Sequence, residues 1–68
     1  MEDIIENLFK IEIELACYYF ESKGLFSYSE DGKVYLRVPM DGTEFIDVEL
    51  SEEEVTYRSG KAREILNN

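Results

Sequence analysis

The sequence predicts an α+β fold in the order αβββα, a three-stranded antiparallel meander with the N-terminal helix packed on one face. Three observations lead there. Apolar residues recur at helical spacing from Ile4 to Phe20. After Gly24 the pattern shifts to two-residue alternation, broken at Asp31-Gly32 and Asp41-Gly42. Ser51-Glu52-Glu53-Glu54 then forms a capping box ahead of a last segment.

The first helix is expected from about Glu2 to Lys23, with Gly24 as its stop and Glu2 and Asp3 at its positive end. At about 100° per residue, Ile5, Leu8, Phe9, Ile11, Ile13, Leu15, Ala16, Tyr19 and Phe20 cover an arc wider than the stripe of a one-sided surface helix. Such a helix needs cover from its own sheet and from something else. Ile13 and Phe20, at the edge of the arc, are expected to be poorly covered by a single sheet. Glu12 interrupts the arc. A carboxylate among apolar side chains must be paired, hydrogen-bonded or protonated. Its partner is either internal or across a dimer, such as a tyrosine hydroxyl or one of Arg37, Arg58 and Arg63. Alternatively it belongs to a partner-binding patch. Glu12, Ile13 and Phe20 are therefore the candidate oligomer interface.

Leu25–Glu30, Lys33–Val38 and Thr43–Leu50 read as strands. Asp31-Gly32 suits a two-residue hairpin turn, in which both central positions take positive φ. That turn pairs Glu30 with Lys33, Tyr28 with Tyr35 and Phe26 with Arg37. For the second turn, a two-residue Asp41-Gly42 loop would set Asp47 in the apolar face. A three-residue Met40-Asp41-Gly42 loop avoids this and pairs Leu36 with Ile46 and Val34 with Val48. The expected core face is Leu25, Val34, Leu36, Val38, Ile46, Val48 and Leu50. The other face carries Phe26, Tyr28, Tyr35, Arg37, Phe45, Asp47 and Glu49. The second helix is expected to run to about Leu66, although Val55-Thr56-Tyr57 favours strand and Gly60 costs a helix roughly 1 kcal/mol.

Sixty-eight residues make one domain, near the lower size at which a core folds unaided. The lone Cys17 excludes an internal disulfide and reads as a small buried hydrophobe, as in a reducing, cytoplasmic compartment. With no histidine, no nucleophile beside a base and no phosphate-cradling glycine loop, the chain is not expected to be an enzyme or to hold a metal or other cofactor. The start, Met1-Glu2-Asp3, is unlike a targeting signal, and no apolar run reaches membrane-spanning length.

The net charge of −9 argues against direct binding to nucleic acid or anionic lipid. Most of it lies in one place: seven acids and no base between Asp41 and Glu54. The bland reading is a solvated edge strand whose charges discourage aggregation. The functional one is a carboxylate strip that imitates phosphates, a composition shared in type by the small acidic inhibitors that phages direct at nucleic-acid-binding proteins. The expected function is a non-catalytic protein–protein interaction module, most concretely an acidic inhibitor or regulator docking on a basic surface. Asp41, Glu44, Asp47, Glu49, Glu52 and Glu53 are the candidate partner-binding acids, with Tyr35 and Phe45 as aromatic anchors. The alternative is a self-assembling subunit that uses the apolar first helix.

Overall fold

The structure, a computed structural model, describes the backbone of residues 2–68 and the side chains from residue 9 onward. The expected roles of the side chains of Glu2, Asp3, Ile5 and Leu8 lie outside the described residues. The elements are α1 (Glu2–Ser22), β1 (Ser27–Glu30), β2 (Lys33–Pro39), β3 (Phe45–Glu49) and α2 (Glu52–Leu66). The sheet is an antiparallel meander in the order β1-β2-β3.

α1 stops where glycine allows the chain to turn left-handed. Gly24 has φ +79°. Its N–H donates to the Glu21 carbonyl (3.0 Å) while the Leu25 N–H reaches back to Phe20 (2.9 Å), capping two of the open carbonyls. At the start of α2, the Ser51 side chain accepts the Glu54 N–H at 3.2 Å, and three glutamates fill the first turn. The strand-favouring Val55-Thr56-Tyr57 stays helical behind this cap.

The β1–β2 register is the expected one, with Tyr28 opposite Tyr35, and Asp31 and Gly32 both at positive φ. The β2–β3 register differs from expectation by two residues. Leu36 faces Val48 and Val38 faces Ile46. The loop is Asp41-Gly42-Thr43, closed by Met40 N–H on the Glu44 carbonyl at 2.8 Å. A shift of two preserves which face each side chain occupies. It also sets Arg37 opposite Asp47, where the expected register would have put Phe45.

The core lies chiefly between the helices. Ile13, Ala16 and Phe20 of α1 and Val55, Ser59 and Ala62 of α2 are buried, joined by Val34 from the sheet. The small residues Ala16, Ser59 and Ala62 are fully buried in this contact. This corrects the expectation for Ile13 and Phe20, which are only 6% and 3% exposed. The additional cover that α1 needs is α2, so neither side chain is left for a second copy.

The same packing corrects the expected core face. α1 packs on β1 and β2 as well as on α2, and neither helix packs extensively on β3. Val34 is buried and Leu36, Val38 and Leu50 are half-buried, while Leu25, Ile46 and Val48 are exposed. With extents of 46 × 31 × 15 Å the molecule is a thin slab, and the β2–β3 hairpin forms an arm whose outer strand, β3, is exposed along its length with little helix packed on it.

Candidate functional site

β3 lies at one edge of the sheet, uncovered on both faces. On the inner face, Ile46 and Val48 are 49% and 40% exposed and continue into half-buried Leu36 and Val38, with exposed Met40 at the tip. Isolated exposed apolar side chains are ordinary; these lie next to one another on β3, β2 and the loop that joins them.

The outer face is built differently. Asp47 accepts two hydrogen bonds from Arg37, Nε at 2.9 Å and Nη2 at 3.1 Å, and a third from the Tyr28 hydroxyl at 2.8 Å. The Arg37 guanidinium lies 3.8 Å from the centre of the Phe45 ring and 4.7 Å from that of Phe26. Tyr28 stacks on Tyr35 with ring centres 5.2 Å apart. The Arg37 and Tyr28 hydrogen bonds hold the Asp47 carboxyl below its ordinary pKa, and donation to Asp47 raises that of the Tyr28 hydroxyl. Beside this network, Glu49 sits 3.6 Å from Lys33.

The expected acidic strip is therefore divided. Asp47 and Glu49 share the outer face but are matched by Arg37 and Lys33. Asp41 and Glu44 stand at the start of β3, and Glu52 and Glu53 just beyond its end. Among the described residues these four make no salt bridge. Tyr35 is half-buried within the aromatic layer, whereas Phe45 is half-exposed at the arm's edge. The carboxylates thus bracket an apolar strand, an arrangement that charge counting along the sequence did not reveal. Ile46 and Val48 were missed as surface residues because alternation alone assigns them to a core face.

Glu12 finds its partners inside the chain. Arg63 grips it with Nη2 at 2.7 Å from Oε1 and Nη1 at 3.1 Å from Oε2, and the buried Ser59 hydroxyl contacts Oε2. Ser59 Oγ also lies 2.8 Å from the Thr56 carbonyl, so its single proton serves one acceptor at a time. The Arg63 and Ser59 contacts lower the Glu12 pKa, outweighing the opposing effect of burial. This is a clasp between helices. Nearby, Arg58 packs against the rings of Tyr19, Phe20 and Tyr57. Its buried Nε lies 3.4 Å from Glu54 without hydrogen-bond geometry.

A groove of about 680 Å³ runs between α1 and the β1–β2 turn, lined by Phe9, Lys10, Ile13 and Glu14, by residues 29–32 and by Glu52 at the start of α2. Among the described residues no cluster of three or more Cys, Asp or Glu side chains is placed to hold a metal ion. No described helix is long and apolar enough to cross a membrane. Comparison with protein-family models, with curated proteins and with solved structures finds no match to this chain.

Proposed function

We propose that this chain is a non-catalytic protein-binding module, a small acidic inhibitor or regulator that docks on a basic surface of another protein through its β2–β3 arm. The single observation that carries the reading is the uncovered third strand, with Ile46 and Val48 about half-exposed where a two-layer fold would bury them. The acids around it supply the sign of the partner. Asp41, Glu44, Glu52 and Glu53 leave a negative rim that is unbridged among the described residues, and such a rim steers a cationic surface into contact while the apolar centre holds it. Phosphate mimicry of a nucleic acid is the concrete form, carried by these four rather than by Asp47 and Glu49. A cytoplasmic setting belongs to the same proposal and rests on the single, half-buried Cys17.

The test is site-specific photo-crosslinking in extract of the source cells. A photoreactive residue at Val48 should capture a discrete basic protein, and added nucleic acid should compete for it. The same group at Tyr18 or Leu66, exposed on the helices, should not. Adducts from the helix positions alone would contradict the reading.

A further inference from the structure

We infer that the free edge of β3 is a strand-addition site for an extended, basic segment of a partner protein, an inference that rests on the docking reading above. The hydrogen-bond pattern fixes which groups are available. Met40 N–H donates to Glu44 and Leu50 N–H to Val34, so in the β2–β3 ladder the even-numbered residues of β3 face β2. The N–H and C=O groups of Phe45, Asp47 and Glu49 therefore point away from the sheet. They form a template for one more strand.

Natural edges are guarded by proline, bulges or charges directed along the edge. β3 contains no proline, and its pairing with β2 runs without a bulge from Phe45 to Glu49. Both its charged side chains are drawn back over β2, Asp47 onto Arg37 and Glu49 toward Lys33. The opposite edge offers less, since β1 is four residues long and carries α1 against it.

Charge selects the occupant. An added strand lying along β3 would have Asp41 and Glu44 near one end and Glu53 near the other, Glu52 being turned to the groove beside the β1–β2 turn, with Ile46 and Val48 between them on the inner face. A strand alternating basic and apolar residues, about 3.4 Å per residue, would set its apolar side chains beside Ile46 and Val48 on the inner face and bring basic residues to the acids at its two ends. A second copy would bring −9 against −9. Complementarity therefore favours the basic partner.

The probe is a synthetic nine-residue peptide of alternating lysine and valine, added at millimolar concentration and low salt to the isotope-labelled full chain. Amide exchange is read by NMR. The expected result is exchange slowed on the order of tenfold at Phe45, Asp47 and Glu49, lost again in high salt. Glu49→Pro removes one outward donor without touching the β2 ladder. It should weaken binding several-fold while the Tyr28–Tyr35 contact persists, and a peptide N-methylated at alternate residues should not bind. Shifts at the Ile46 and Val48 methyls without slowed exchange at the three amides would overturn strand addition and leave the docking reading standing. No perturbation anywhere on the arm would overturn both. Protection that grows with protein concentration in the absence of peptide would identify a second copy as the occupant and overturn the inference.

Discussion

Glu12 is the residue on which the two helices are locked together, and its acid-base behaviour makes the clasp measurable. Its folded pKa lies below the ordinary value of 4.5 because Arg63 and Ser59 stabilise the charged form. A carboxylate with a depressed folded pKa stabilises the fold fully above its unfolded pKa, and that contribution is lost as pH falls through the folded value. Urea midpoints should therefore show Glu12→Gln less stable than the parent at pH 7, with the gap closing below about pH 4. A gap constant from pH 7 to pH 3 would mean the charge is not what matters. Gly60 makes a second case. It sits in α2, and a Cβ there would meet nothing within 4 Å. Gly60→Ala should raise stability by about 0.5–1 kcal/mol, read from the same midpoints. At Asp47 the structure changes the experiment that charge alone would suggest. Asp47→Lys would set a lysine against Arg37 and leave the Tyr28 hydroxyl without its acceptor, so it should destabilise the arm. Reversals that probe association alone belong at Glu44 and Glu53.

At the scale of elements, the β2–β3 arm shows both the reach of periodicity and its limit. Alternation assigned every strand residue to its correct face, because inversion of a face would have put Asp47 among apolar side chains. It could not separate registers two residues apart, which share that assignment. The difference is made by a long-range pair, Arg37 with Asp47, whose spacing depends on the loop it helps to choose. In either register Gly42 is left-handed, and the observed φ is +67°. Gly42→Ala should lower stability by roughly 1 kcal/mol, with the midpoint moving and the denaturant slope unchanged. The helices were legible for local reasons, namely the Gly24 stop and the Ser51 cap. What covers α1 was not, since α2 has few large apolar residues and its small ones, Ser59, Gly60 and Ala62, give a weak hydrophobic pattern. Of these, Ser59 and Ala62 are fully buried where α2 packs on α1 and covers Ile13 and Phe20. Phe20→Ala should accordingly cost about 3–5 kcal/mol and unfold much of so small a chain, a loss visible in its circular dichroism.

Across the whole molecule, the helix pair that completes the core also leaves the sheet incompletely covered. With α1 drawn toward α2, β3 has no layer above it, and the acids that composition placed in one segment become a rim around an apolar strand. The candidate site was thus half legible. The acids were named from the sequence, but the apolar centre was assigned to the interior because a helix was expected across the full sheet. Salt separates the two occupants of that strand. Association with a basic partner should weaken as the Debye length falls from about 10 Å at 0.1 M to about 3 Å at 1 M, whereas self-association of a chain this acidic should strengthen. Titration of complex formation against salt, by fluorescence anisotropy for the partner and by sedimentation for the chain alone, gives both slopes. The most direct measurement is amide exchange along β3 in the dilute, isolated chain. If the third strand waits uncovered, Ile46 and Val48 should be protected by β2 while Phe45, Asp47 and Glu49 exchange at nearly unstructured rates. Equal protection at all five amides would mean that the edge is already covered, and would contradict the account.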